Sequence, residues 1–181
     1  MSASLQRHTP PAVPAELMAE LRTDHAGETG AVWIYRGVLA VSRDAGLRDF
    51  ARRHLATEQE HLDLICELVP PHQRSWLIVP WRAAGFFTGF LPALFGPRAV
   101  YGTIAAVETF VDRHYEEQIR TLDGRPAYAE LQRLLRRCQE DECHHRDEAA
   151  ASAGRPGPIL RLWCAVVGWG SEAAVKVARR I

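Results

Sequence analysis

Lysine is almost missing from this 181-residue chain: of its 22 basic residues, only Lys176 is not an arginine. Twenty-two acidic residues balance them to a formal net charge of zero. A general nucleic-acid binder carries a basic excess, so that class is excluded. The arginine bias itself reads as genome composition rather than function. No Cys-x-x-Cys occurs among Cys66, Cys138, Cys143 and Cys164. Their scatter speaks against a disulfide framework and for reduced thiols in a cytosolic protein. No Gly-x-Gly-x-x-Gly occurs either, so a built-in nucleotide fold is not expected. No stretch alternates with period two strongly enough to predict a strand. The longest charge-free run, Ala83 to Pro97, has 15 residues, short of the roughly 20 that a membrane-spanning helix needs. Met1 to Pro14 holds three prolines and no apolar signal-peptide core. Residues 1–13 therefore read as a flexible lead rather than a signal peptide.

What is present is helical pattern. Hydrophobic residues make up 47% and charged residues 24% of the chain, enough for one domain with a core, over 14–181. Helices are predicted over 14–44, with Gly46 as the break, and over 47–69, stopped by Pro70-Pro71. Three more are predicted over 97–122, 126–153 and 158–181. Between 47–69 and 97–122 lies the third of six segments, very apolar, 76–95, interrupted by Pro80, Arg82 and Pro92. The fold class is all-α: a four-helix bundle with a long apolar crossover and an extra C-terminal helix, the connectivity of ferritin-like bundles.

Six residues interrupt the apolar stripes. Two Glu-x-x-His tetrads, Glu58/His61 and Glu142/His145, each follow a lone glutamate, Glu28 and Glu108, at 30 and 34 residues. The two halves look like a diverged duplication. On a helix, positions i and i+3 share a face, so each tetrad aims a carboxylate and an imidazole the same way. On the fifth predicted helix, Leu131, Leu135, Cys138, Glu142, His145 and Ala149 recur at core spacing. Glu108 falls in line with Ile104 and Tyr115, Glu58 with Ala51 and Ile65, Glu28 with Leu21 and Tyr35. Buried, unpaired carboxylates cost several kcal/mol each, and no basic residue shares their stripes. Two divalent cations would supply the missing positive charge, and oxygen and imidazole ligands suit iron or manganese. One Glu-x-x-His alone is common on solvated helices; the fourfold pattern carries the reading. Asp141/His144 has the same spacing but lies about 100° off the stripe. Cys143 is a ligand in principle, though its hard carboxylate neighbours suit a site without thiolate. Asp141 could hold an imidazole N–H of the other tetrad, or be a solvated acid.

These residues resemble a known family. Leu21-Arg22-Thr23-Asp24-His25-Ala26-Gly27-Glu28, followed by Gly30-Ala31 and Ile34-Tyr35, resembles the first-ligand signature of the demethoxyubiquinone hydroxylases. Glu58-Gln59-Glu60-His61-Leu62, Val107-Glu108 with His114-Tyr115 and Gln118-Ile119-Arg120, and Asp141-Glu142-Cys143-His144-His145 resemble the family's other motifs. The likeness runs from about Leu21 to Ala150. It implies a ferritin-like fold and a centre of two iron ions on Glu28, Glu58, His61, Glu108, Glu142 and His145, with bridging glutamates. It also implies O2-dependent hydroxylation of a polyprenyl methoxy-benzoquinol in ubiquinone biosynthesis. Two electrons would come from an external reductant such as NADH or another donor, or through the quinone itself. Trp33 and Thr29 depart from or vary against the family pattern and bear on partner contacts more than on chemistry.

Tyr115 and His114 are the candidate catalytic residues, for contact with the quinone ring or proton relay; the plain alternative for Tyr115 is a core tyrosine. Asp24 and His25 lie close to Glu28, and His54 reads as surface or core filler. A polyprenyl substrate lives in a membrane. The apolar run 83–97, flanked by Arg82 and Arg98, suits lying in the interface. So does the last helix, with Trp163, Trp169 and Arg179-Arg180; otherwise both pack on the bundle. The expected location is peripheral, at the cytoplasmic face of a bacterial inner membrane. A lipid-binding accessory protein and a homo-oligomer are both compatible with this. The rival readings are an iron-oxidising storage or peroxidase protein, a scaffold that no longer turns over, and a hydroxylase of another quinone or lipid.

Overall fold

The computed structural model describes residues 12–180; most of the 1–13 lead lies outside them. Six α-helices occur among the described residues: α1 Met18–Val41, α2 Ala45–Leu68, α3 Ile78–Ala93, α4 Pro97–Thr121, α5 Ala129–Ala153 and α6 Pro158–Ala178. Short 3-10 turns precede α1, α3 and α5. No strand occurs among the described residues, and the fold is an all-α ferritin-like bundle.

The local chemistry explains most boundaries, and corrects two. Gly46 does not break the first helix. That helix ends at Val41, and Gly46 lies in the first turn of α2. The N-cap is Asp44, whose Oδ1 accepts the Leu47 N–H at 2.7 Å, satisfying a donor that the helix start leaves open. The crossover is not interrupted either: α3 is a continuous helix through Pro80. Pro80 is its third residue, where the missing N–H has no helical partner to lose. Pro92 comes one residue before its end. Gly96, at φ 95, turns the chain into α4, which opens on Pro97.

The core is divided. One apolar cluster gathers Leu21, Ile65, Ile119, Leu131 and Leu135. The other gathers Tyr35, Val38, Leu47, Phe50 and Ile104. On each of α1, α2, α4 and α5 the stripe passes through one cluster, then an acid, then the other. The bundle therefore has two oily ends and a polar middle layer, which hydrophobic burial at both ends holds together.

α3 lies along α1 at backbone contact distance. A Cβ at Gly85 would fall 2.2 Å from the Gly30 carbonyl oxygen, and one at Gly89 1.9 Å from that of Ile34. On α1, a Cβ at Gly37 would meet the Phe86 carbonyl oxygen at 2.1 Å. Small residues thus make the buried face of α3, and its large ones, Phe87 and Leu91, point outward. α6 is similar: Ala178 is its one buried residue, while Ile159, Leu162 and Trp169 are exposed.

Candidate metal centre

The polar layer brings all six residues of the Glu/Glu-x-x-His pattern together. Glu28 comes from α1, Glu58 and His61 from α2, Glu108 from α4, Glu142 and His145 from α5. None is more than 4% exposed. Their ligand atoms form two overlapping groups: Glu28, Glu58, His61 and Glu142, and Glu58, Glu108, Glu142 and His145. Within each, one donor atom per residue lies within 4.8 Å of all the others. Glu58 and Glu142 belong to both groups. His61 Nδ1 stands 3.0 Å from Glu142 Oε1, and His145 Nδ1 3.0 Å from Glu58 Oε1.

The electrostatics follow from burial. Burial pushes Glu28 up to about 7, the nearby His61 opposing and Glu142 adding to the rise. Burial, then repulsion by Glu142, drives Glu58 and Glu108 well above the usual carboxylate range. Burial acts upward on Glu142 as well, but contacts with His145 and His61 reverse it and hold it down at about 2. Burial disfavours the imidazolium of His61, yet Glu142 and the other acids around it raise it to about 10. A cluster of this kind, left to itself, keeps its charge small by holding protons.

Hydrogen bonding does not account for these atoms. Both oxygens of Glu58, Glu142 Oε2 and His145 Nδ1 are buried without a hydrogen-bond partner, despite their close approaches. Four such atoms converging from two helices would each cost on the order of 1–3 kcal/mol. Hard carboxylate oxygens with two imidazoles suit divalent iron or manganese, and a pair of such ions answers both the charge and the orphaned atoms.

A surrounding set of bonds orients the layer. Tyr115 Oη donates to Glu28 Oε1 at 2.5 Å. His61 Nε2 lies 3.1 Å from Asp141 Oδ2 on the facing helix, the contact across tetrads that the sequence left open. His114 Nε2 is 2.7 Å from Thr23 Oγ1 and 3.1 Å from Asp24 Oδ1. Gln118 Nε2 donates to Asp24 Oδ1 at 2.7 Å. So Tyr115 and His114 have their polar atoms engaged with α1, while both also line a cavity. Cys143 stands outside both groups, and His144 is exposed.

Sequence reasoning missed His54. It is 2% exposed and its ring meets that of His145 edge-on, with centroids 4.0 Å apart. Its Nε2 pairs with Glu148 at 2.9 Å, and Arg53 clasps the same carboxylate. Burial and the neighbouring His145 lower it to about 4, so it is neutral. The signal was available: His54 is four residues before Glu58, on the same face, and lies deeper than its neighbour Leu55. Gln118, three residues after Tyr115, entered the sequence reading only as part of a motif; its bond to Asp24 was not anticipated.

A largely apolar cavity of about 540 Å³ reaches this layer. Glu28, Glu58, Glu108 and Glu142 line its inner end. Its walls come from α1, α3, α4 and α6, with Trp81 and Trp163 among them.

Comparison with known proteins places this geometry in a family. The family model described as "Ubiquinone biosynthesis protein COQ7" matches residues 15–178. A Caenorhabditis elegans protein named NADPH-dependent 3-demethoxyubiquinone 3-hydroxylase, mitochondrial, is 29% identical over 178 residues, 96% of this chain and 95% of its own. A Rhodospirillum rubrum 3-demethoxyubiquinol 3-hydroxylase is 35% identical over 174 residues, 93% of this chain and 80% of its own. The human NADPH-dependent 3-demethoxyubiquinone 3-hydroxylase is 29% identical over 165 residues, 89% and 76% of the two chains. All six residues of the polar layer lie within the matched span, and the chain belongs to the COQ7 family of ubiquinone biosynthesis proteins.

Proposed function

We propose that this chain, a 3-demethoxyubiquinol hydroxylase by family, works through two iron ions held by Glu28, Glu58, His61, Glu108, Glu142 and His145, with Glu58 and Glu142 shared between them. The observation that carries the reading is the convergence of buried, unpartnered carboxylate and imidazole atoms at the inner end of an apolar cavity. Ferrous ions, when bound, supply the activation of O2 that no side chain here offers. The protein's own residues do the rest. The apolar walls take up a polyprenyl methoxy-benzoquinol and exclude water around its ring. Tyr115 holds a proton at Glu28 Oε1, which fixes the direction in which that carboxylate presents its other oxygen. Asp141 fixes His61 from behind. The Asp24 carboxylate beside His114 holds that imidazole above its usual range against the opposing effect of burial, so His114 is a proton reservoir at the cavity wall.

The electron source is an external nicotinamide donor, the class named for the C. elegans and human relatives. The chain works at a membrane surface, at the cytoplasmic face of an inner membrane. No helix of the described residues is long and apolar enough to cross a membrane. The support for surface contact is the outward apolar faces of α3 and α6, with Phe95 82% and Trp169 74% exposed, flanked by Arg82 and Arg98. These two helices also wall the cavity, so a lipid-borne substrate enters without crossing water. Phe95→Glu combined with Trp169→Glu should abolish co-sedimentation with vesicles.

The test of the reaction is rescue of a bacterial mutant lacking the quinone-ring hydroxylase, with product mass measured. The wild-type chain should restore the mass gain of one oxygen. Glu142→Ala should not, and full rescue by that variant would refute the ligand assignment.

A further inference from the structure

Seven glycines sit inside α1, α3 and α6. Gly168, open to its surroundings and off the cavity, stands apart; the other six fall into two kinds. Gly37, Gly85 and Gly89 are demanded by packing, since a Cβ there would strike backbone at 2.2 Å or less. Gly27, Gly30 and Gly170 differ: a Cβ at any of them meets nothing within 4 Å. All three line the cavity. Conformation does not require glycine there either, because the glycines with positive φ are Gly96, Gly124 and Gly154. A glycine inside a helix costs about 1 kcal/mol relative to alanine. Neither packing nor backbone geometry accounts for that cost at these three positions.

Position supplies the reason. Thr23, Gly27, Gly30 and Ala31 fall at i, i+4, i+7 and i+8, one face of α1, and all four line the cavity. Gly27 is the neighbour of Glu28. Across the opening, α6 contributes Gly170, Ala173 and Ala174. Two helices thus face the cavity with side chains cut back to almost nothing, beside the buried, unpartnered oxygens of Glu58 and Glu142 at its inner end.

We infer that Gly27, Gly30 and Gly170 are specificity-determining residues, whose missing side chains keep open a flat berth for the substituted quinol ring beside Glu28. This rests on the proposed function for the identity of the ring. Each position trades helix stability for room, and a single methyl group there takes the room back. In an apolar pocket one methylene is worth about tenfold or more in discrimination.

The experiment compares the metal-loaded wild type with Gly27→Ala, Gly30→Ala, Gly170→Ala and, as a contrast, Gly85→Ala. Four quantities are read: Tm, bound iron, the Kd of a short-tailed methoxy-benzoquinol from quenching of Trp81 and Trp163, and kcat and KM. The three berth variants should keep their iron and hold or raise their Tm. They should weaken quinol binding and raise KM by about tenfold or more, and the loss should shrink for a benzoquinol without ring substituents. Gly85→Ala should lower Tm instead. Berth variants that bind the quinol as tightly as wild type overturn the inference, as does a fall in their Tm like that of Gly85→Ala. A wild type that binds no quinol overturns the functional reading, and this inference with it.

Discussion

Glu58→Gln should have opposite consequences with and without metal. Glu58 belongs to both groups of donor atoms, so in the proposed centre its loss would disturb both ions at once. An ion held at 100 times its Kd stabilises the fold by about 2.7 kcal/mol, and two by about 5 kcal/mol. In a chain of this size 1 kcal/mol moves Tm by about 2–4 °C, so loading the wild type should raise Tm by about 10–20 °C. Glu58→Gln should lose most of that rise. Metal-free, the balance differs. Both oxygens of Glu58 are orphaned and its carboxyl is held protonated by burial and by Glu142. A neutral amide of the same shape replaces a group that had no hydrogen bond to lose, and it cannot ionise. Metal-free Glu58→Gln should therefore melt higher than metal-free wild type, by a margin that opens above pH 4.5, where the unfolded wild-type carboxyl ionises and the buried one does not, and that widens as pH rises from there. Circular dichroism melts of chelator-treated and anaerobically iron-loaded protein measure both differences. A variant that melts well below wild type when metal-free, yet keeps the full rise on loading, would mean that Glu58 is a structural acid and no ligand.

Asp141→Asn removes the carboxylate behind His61 and should weaken metal binding about 10–100-fold, read by competition with a chromophoric chelator; unchanged affinity would reduce the 3.1 Å contact to a surface pair. Gly85→Ala places a Cβ 2.2 Å from the Gly30 carbonyl oxygen, so α3 must lift, and overpacking of this kind costs about 1–3 kcal/mol; denaturant melts read the loss. Burial, with help from Arg74 and Arg82, lowers His25 to about 4 from 6.5, so the fold favours its neutral form. Its contribution is complete above pH 6.5 and is lost as pH falls towards 4, at no more than about 1.4 kcal/mol per pH unit. The stability advantage of wild type over His25→Gln should accordingly shrink between pH 6.5 and 5 in urea titrations, and an advantage that grows would contradict the assignment.

The polar layer was legible because each of its acids sits in register with large apolar residues. A stripe such as Leu135, Cys138, Glu142, His145, Ala149 has one geometric meaning on a helix, and residue spacing alone carries it. The helix ends were legible where proline or a run of glycine and acid marked them. Gly46 misled because a glycine near a boundary serves either side of it, and the capping bond of Asp44 decides which. The crossover misled because Pro80 falls in the first turn of α3, where a helix tolerates it, and Pro92 so near the end that only the last turn feels it. The α1–α3 crossing was hidden for a different reason. It is built from backbone against backbone, and no hydrophobic pattern announces a face made of glycine. His54 and Gln118 were hidden because a single polar residue on a core face reads the same whether it is bonded to a distant partner or merely tolerated.

The two halves of the chain are alike in pattern but not in surroundings, and the difference bears on how the site works. His61 has Asp141 behind it, a carboxylate that orients its imidazole and, in the proposed centre, would make it a stronger ligand. His145 has no such acid. Its outer side meets the neutral ring of His54, which is tied to Glu148 and through it to Arg53 at the surface. Position 57, which corresponds to Asp141 in the other tetrad, is Thr57 and cannot supply the missing charge. Near Glu28 the asymmetry continues: Tyr115 caps that carboxylate, whereas Glu108 has no tyrosine partner among the hydrogen bonds of the described residues. One group is thus braced by charge and a phenol, the other by ring packing alone. A diverged duplication would make two equal sites by default. Here the bracing makes the His61 group the more firmly oriented of the two and leaves the His145 group the less constrained.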